Sequence, residues 1–203
     1  MTPSTNISRE NLKLNNPFHQ LIREVQALDK YHKPSPLLED LDLDMFDGEY
    51  HFTTSRATLL LMSRVIEDTL KLHKKQCSLY AGFQELSRFM EFREKFVKLA
   101  DHADQIFIIG IADEPIKEIA DNVHILTENA DIIRENWISI ISNREEIHIS
   151  LIAEEIPSRK QHERYAGFYT NSRVVTEKAI GILKSNNVLS REIAFGKQTF
   201  FDL

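Results

Sequence analysis

Five residues of this sequence have side chains suited to holding a small ligand, namely Gln84, Arg88, Asp113, Trp137 and Glu154. Gln84 offers two donors and one acceptor, Arg88 lies one helical turn beyond it, and Asp113 could accept a hydrogen bond. Gln84 and Asp113 each follow a short apolar segment. Because ligands of open α/β sheets bind beyond the carboxyl ends of parallel strands, this pattern predicts a binding crevice at that edge of a sheet.

The same residues also have a purely structural interpretation. Gln84 and Asp113 could bind neighbouring backbone groups, and Arg88 could pair with Glu154 or Glu155 at the end of a later apolar segment. Side chains committed in this way would have no polar atoms left for a ligand. Both interpretations stay open at the level of the sequence.

Known catalytic signatures are missing from the sequence. It has no glycine-rich phosphate loop, no dinucleotide fingerprint and no nucleophile elbow. Its eight histidines are scattered, and His73 and Cys77 stand four residues apart without further metal ligands. We therefore predict no metal site and a regulatory role, with no cofactor specified. The alternative is an enzyme of unknown reaction that uses the same crevice.

A strand, a crossover helix and a second strand must position these side chains. Cys77–Phe83 and Ile106–Ile111 are short apolar segments, and Gln84–Ala103 between them has helical periodicity. Such a unit implies two parallel strands with a covering helix. Val123–Leu126 follows as a short third strand. We predict an α/β fold with a mixed β-sheet of about five strands, built on this βαβ core and flanked by helices.

A second group of elements follows the βαβ core. Asn136–Ser142 and Ile147–Ala153 have the pattern of an antiparallel hairpin, and Arg164–Thr170 could be a strand or a tight turn. Trp137 begins the first hairpin strand. We expect its ring to be largely buried against a helix, and the alternative is an exposed platform on which a ligand stacks.

Helix starts can be predicted from capping residues. Thr54 or Ser55 caps a helix that runs to about Lys75, and on this helix we expect Glu67 or Asp68 to bond to another element.

Three more helices have candidate caps. Asn16 would cap an N-terminal helix, Asp113 a short helix over Glu114–Ala120, and Asn171 or Ser172 the last helix.

Composition places the chain among ordinary soluble proteins. It has 203 residues, 42% of them hydrophobic, and a formal net charge of −6. That charge disfavours direct nucleic-acid binding, no segment is apolar enough for a membrane span, and no secretory signal is recognisable. The lone Cys77 lies in a predicted strand and fits a buried, unreactive thiol. We predict a cytoplasmic protein.

The pattern divides the chain into five parts. They are a mobile tail (1–16), an N-terminal helix (17–33), an acidic linker (34–54), the main domain (55–185) and an apolar C-terminal tail (186–203). Apolar residues in the linker and in the tail are candidates for binding a partner: Leu41, Leu43, Met45, Phe46, Phe200, Phe201 and Leu203. The alternatives are that the linker is simply solvated and that the tail covers the domain's own sheet edge.

Several blocks of the sequence together resemble a known family. They are Thr58–Asp68, Gly82–Gln84 with Leu86–Phe89, Ile106–Asp113, Glu135–Trp137 with Leu151–Glu154, and Arg164–Val175. In this order and spacing they resemble the DICT sensory domain, which is named for its association with diguanylate cyclases and two-component systems. The resemblance covers roughly Ser55 to Leu183.

The resemblance implies a sensory role in bacterial signal transduction, linked to light or redox signals. Family members usually stand beside an output domain such as a cyclase, a kinase or a DNA-binding head. No output domain is recognisable here, so we expect a free-standing member that passes its signal by binding a signalling or transcription-regulatory protein. A homodimer is a further alternative.

Overall fold

The computed structural model describes residues 16–28, 50–116, 119–127, 129–157 and 164–186. Its strands are β1 Tyr50–Ser55, β2 Ser78–Glu85, β3 Ile106–Ile111, β4 Val123–Leu126, β5 Asn136–Ser142, β6 His148–Ile156 and β7 Arg164–Thr170. Its helices are α1 Pro17–Leu28, α2 Arg56–Leu72, α3 Leu86–Met90, α4 Arg93–Ala100, α5 Arg173–Ser185 and a 3₁₀ helix, Ala130–Ile133. Within these ranges no helix is both long and apolar enough to cross a membrane.

All seven strands form one mixed sheet in the order β1-β7-β6-β5-β2-β3-β4. β2, β3 and β4 are parallel, and the other pairs are antiparallel. This confirms the predicted βαβ core and the predicted hairpin of β5 and β6. β3 is almost wholly buried, as expected of a parallel strand that is covered on both faces.

Helices cover both faces of the sheet. The first face, under α2, α3 and α4, carries Leu151 and Ala153 of β6. The second face, under α1, α5 and the 3₁₀ helix, carries Ile152 of the same strand. This alternation follows from the two-residue period of a strand. α1, the predicted N-terminal helix, packs against the second face of the sheet through Phe18 and Ile22.

Three predicted helix caps are confirmed. Ser55 Oγ accepts the Thr58 N–H at 3.3 Å at the start of α2. Ser172 Oγ accepts the Val175 N–H at 3.5 Å at the start of α5. Asn16 Oδ1 accepts the Phe18 N–H at 2.9 Å at the start of α1. These side chains satisfy backbone donors that have no partner within the helix.

The predicted crossover helix over Gln84–Ala103 is wrong in its form. β2 continues to Glu85, and two short helices, α3 and α4, replace one long helix. The bend between them gathers the rings of Phe83, Phe89 and Phe96 into edge-to-face contacts, with centroids 5.2 to 5.6 Å apart. Burial of this aromatic cluster outweighs the continuity of a helix.

Two other element predictions are also wrong. The end of the predicted linker, Tyr50 to Thr54, belongs to edge strand β1, which pairs with β7. The predicted helix over Glu114–Ala120 does not form in its described residues, 114–116 and 119–120. Asp113, its expected cap, binds Ser87 instead.

α2 also stops earlier than predicted. It ends at Leu72 rather than near Lys75, whose backbone has a φ of 56°. The predicted mobile tail, most of the acidic linker and the C-terminal tail beyond residue 186 lie outside the described residues.

Candidate functional site

A cavity of about 40 Å³ lies between α2 and the first face of the sheet. α2 lines it with Arg56, Leu60, Ser63 and Glu67, and the sheet lines it with Ala81, Gly82, Phe83, Gln84, Asn136, Trp137, Ile138 and Ser139. Arg88 of α3, Phe92, and Lys95 and Phe96 of α4 complete the lining. The cavity therefore has an aromatic and apolar wall that carries several polar groups.

Trp137 connects the sheet to α2 at this cavity. Its indole Nε1 donates to Ser63 Oγ at 3.0 Å, and its ring meets Tyr165 edge-on at 6.0 Å. The ring packs against a helix as predicted but is only partly buried, because its remaining surface lines the cavity. Trp137 thus combines packing with a position where a ligand could contact it.

Gln84 and Arg88 come together as predicted. Gln84 is buried, and its Oε1 accepts a hydrogen bond from Arg88 Nη1. Arg88 Nε lies 3.7 Å from the carboxylate of Glu85, which is half exposed. The alternative pairing of Arg88 with Glu154 or Glu155 is wrong.

Glu67 forms an ion pair at the cavity. Lys95 Nζ donates to Glu67 Oε1 at 2.6 Å, which joins α2 to α4, and the Glu67 side chain is 8% exposed. The same ammonium group lies 5.0 Å from the centre of the Phe92 ring. The prediction that Glu67 or Asp68 bonds to another element is confirmed by Glu67, whereas Asp68 pairs with Lys71 of its own helix.

Asp113 lies away from the cavity. It is exposed, and its Oδ1 accepts the Ser87 backbone N–H at 2.9 Å near the start of α3. Hydrogen bonding from the Ser87 side chain, and next from its backbone N–H, holds the pKa of the carboxyl group below its ordinary value. The geometry matches the structural interpretation of Asp113 and not a shared crevice with Gln84.

Glu154 lies on the opposite face of the sheet. His19 Nδ1 of α1 is 2.6 Å from Glu154 Oε2, and both side chains are largely buried. Trp137 and Glu154 therefore point to different sides of the sheet. The single crevice predicted from Gln84, Arg88, Asp113 and Glu154 does not exist. Gln84, Arg88 and Trp137 alone share one cavity.

Comparison with known families supports the resemblance of the sequence blocks. The DICT family, described as a sensory domain in diguanylate cyclases and two-component systems, matches residues 35–155. This chain belongs to the DICT family. Comparison with curated proteins and with solved structures found no similar chain.

The folded unit of this DICT protein extends beyond the matched residues. The match ends within β6, yet β1 pairs with β7 and β7 pairs with β6. In the described sheet, β1 lies inside the match but is hydrogen-bonded to β7, a strand outside it. The sheet of this DICT domain needs the chain up to Thr170.

Sequence reasoning missed Arg56 as a site residue. It is the first residue of α2 and half-buried, and its Nε is sealed from solvent without a hydrogen-bond acceptor in the described part of the chain. A cation at the positive end of a helix dipole is unfavourable, and this was the available signal in the sequence.

Two other features of the DICT domain lie outside this cavity. Ser142 Oγ is 3.0 Å from His148 Nδ1, next to an open polar groove of about 890 Å³ beside α5. These residues face each other on β5 and β6, so ordinary cross-strand pairing accounts for the contact.

Cys77 is buried, and burial raises the pKa of its thiol. The described residues contain no cluster of three or more candidate metal ligands.

Proposed function

We propose that this DICT domain is a non-catalytic regulatory module that binds a small ligand between α2 and the sheet and signals to a protein partner. One observation carries the proposal. Two polar contacts between α2 and its neighbours, Ser63 to Trp137 and Glu67 to Lys95, are made at the cavity itself. A ligand that competes for either contact would change the position of α2.

The size of the cavity supports a coupling between binding and conformation. At about 40 Å³ it is far smaller than the roughly 300–1,000 Å³ of typical ligand sites. A ligand larger than a few water-sized groups would therefore have to displace the partly exposed side chains of Arg88, Phe92 and Lys95. Binding that requires such a rearrangement favours one conformation over another, which is the basis of a sensor.

A short path joins the cavity to the acidic linker. Ser55, the last residue of β1, caps α2 one residue before Arg56. Among the described strands β1 is an edge strand that pairs with β7, and its residues Tyr50 to Thr54 form the end of the predicted linker. A shift of α2 would move β1 and, with it, the linker that precedes β1. We propose that Leu41, Leu43, Met45 and Phe46 of this linker bind a signalling or transcription-regulatory protein.

The C-terminal tail is a second candidate for the partner surface. It follows α5 and includes Phe200, Phe201 and Leu203. Exposing such side chains is unfavourable by roughly 1.5–3 kcal/mol each, so we propose that they bind a partner or a second copy of the chain.

The polar groups of the cavity favour binding over catalysis. The described residues that line it include no histidine or cysteine, and Glu67 is already paired with Lys95. Ser63 accepts its hydrogen bond from Trp137 and has no general base beside it among these residues. A nucleophile needs such a base within hydrogen-bond reach.

The test is a capture experiment with the full chain in a lysate of the native host. We expect Leu43→Ser with Met45→Ser to abolish capture of a specific protein while the melting temperature stays unchanged. Ser139→Val, which fills part of the cavity, should alter capture without touching the linker. Lys98→Gln, an exposed change on α4, serves as the control.

Removal of Ala194–Leu203 tests the tail separately. Loss of capture by this truncation alone would move the partner surface from the linker to the tail. Equal capture by all the variants would refute the proposed function. Co-purifying small molecules, identified by mass spectrometry from wild type and from Ser139→Val, test the ligand itself.

A further inference from the structure

We infer that the ligand of this cavity is a compact anion, held by the guanidinium groups of Arg56 and Arg88. The inference rests on the proposed function for the cavity being the ligand site, and it adds the chemical class of the ligand. It follows from the charge, the hydrogen-bonding groups and the size of the site.

The described lining has an excess of positive charge. Three cationic side chains, those of Arg56, Arg88 and Lys95, face one carboxylate, that of Glu67. Glu67 is committed to Lys95 at 2.6 Å, so both guanidinium groups lack a carboxylate partner within the cavity. Glu85, 3.7 Å from Arg88 Nε, is half exposed and outside the lining. This excess stands out in a chain whose net charge is −6.

Arg56 supplies the most specific observation. Its Nε–H is shielded from solvent and meets no acceptor among the described residues. A buried donor left without an acceptor costs free energy, more so when the group is charged. The planar guanidinium fork matches the two oxygens of a carboxylate or of another oxyanion, which would satisfy this donor.

Gln84 adds a further donor to the lining of the cavity. An arginine can only donate, so the Gln84 atom that contacts Arg88 must be the carbonyl Oε1. The amide Nε2 of Gln84 is then its remaining polar atom, and an amide nitrogen can only donate. Gln84 is buried, so its amide group adds to the donors of Arg56 and Arg88 around the same space. A ring of donors selects an acceptor-rich ligand.

The size of the site limits the anion. A cavity of about 40 Å³ has room for a few water-sized groups. A carboxylate group or an inorganic oxyanion has these dimensions, whereas a nucleotide does not. Both sources share the same chemistry, and the experiment separates them.

Trp137 is the only tryptophan of the chain and lines the cavity, so its fluorescence reports binding directly. The probes are acetate, its neutral isostere acetamide, and inorganic phosphate, titrated at constant ionic strength with NaCl. We expect a saturable change with acetate or with phosphate and none with acetamide. A response to acetate alone identifies a carboxylate site, and a response to phosphate alone identifies an inorganic oxyanion site.

Arg56→Gln should weaken anion binding about tenfold or more, because hydrogen bonds to charged groups are worth about 1.5–3 kcal/mol. Arg64→Gln removes an exposed guanidinium from the same helix and should bind as wild type does. Circular dichroism of each variant confirms that it is folded.

Three results would overturn the inference: an equal response to acetamide, unchanged anion affinity in Arg56→Gln, or no saturable response to either anion. These results leave the proposed function standing if Ser139→Val still alters partner capture. Loss of that effect, with anion binding intact, would refute the proposed function and keep the anion site.

Discussion

The indole nitrogen of Trp137 donates to the hydroxyl of Ser63 at 3.0 Å, across 74 residues of sequence. This bond fixes the middle of α2 over the start of β5. It also places the lone tryptophan beside the cavity, so a change in the position of α2 alters the surroundings of its ring.

Replacement of Ser63 by alanine should lower the free energy of unfolding by about 1 kcal/mol, since it removes the acceptor of a partly buried donor. Trp137 emission should shift at the same time, because the indole loses its hydrogen bond. Chemical denaturation followed by fluorescence measures both effects. Ser185→Ala, which removes an exposed hydroxyl that bonds within the C-terminal turn of α5, is the control. Unchanged stability and emission in Ser63→Ala would contradict the assigned contact.

The pair of Glu67 and Lys95 should couple more strongly than an exposed pair on the same helix. Glu67 is 8% and Lys95 36% exposed, so water screens their contact only in part. A double-mutant cycle should give a coupling free energy of about 1–2 kcal/mol, intermediate between the values for exposed and buried pairs. The cycle for exposed Asp68 and Lys71 should give about 0.5 kcal/mol or less. Equal coupling in the two cycles would show that Glu67 is effectively solvated.

Alanine should have opposite effects at two glycines. A Cβ at Gly110 would lie 2.8 Å from Leu86 Cδ2 and 3.0 Å from the Phe83 carbonyl oxygen. Because α3 packs this closely on β3, Gly110→Ala should cost about 1–3 kcal/mol. A Cβ at Gly181, exposed in α5, meets nothing within 4 Å, so Gly181→Ala should stabilise by about 0.5–1 kcal/mol. Thermal denaturation of both variants provides the comparison.

Asp113 should make stability depend on pH in the acid range. Hydrogen bonding from the side chain of Ser87, and next from its backbone N–H, lowers the pKa of the Asp113 carboxyl group in the folded protein. The unfolded chain therefore binds the proton more readily. The stabilisation is fully present above the ordinary pKa of an aspartate and is lost as the pH falls through the lowered value.

Accordingly, Asp113→Asn should melt below wild type near neutral pH, and the difference should shrink in acid. Asp121→Asn, an exposed change of the same charge, is the control. A difference in melting temperature that is constant from neutral to acid pH would argue against the carboxylate as the stabilising species.

Local patterns were enough to predict much of this fold. The βαβ unit, the hairpin and the caps of Asn16, Ser55 and Ser172 depend on residues that are close in sequence. A strand period or a capping side chain acts within a few residues, so the sequence itself determines it. The DICT resemblance likewise rested on the order and spacing of such blocks, and the family match confirmed it.

The tertiary structure alone decided which side chains meet. β1 forms because Tyr50 pairs with Tyr169 of β7, far along the chain. The sequence placed Trp137 and Glu154 on strands, but only the docking of α2 and α1 decided that the first faces the cavity and the second faces His19. Arg56 joins the cavity for the same reason. These contacts depend on how whole helices and strands pack. That packing is determined by the burial of many residues that are distant in sequence, and no local pattern contains this information.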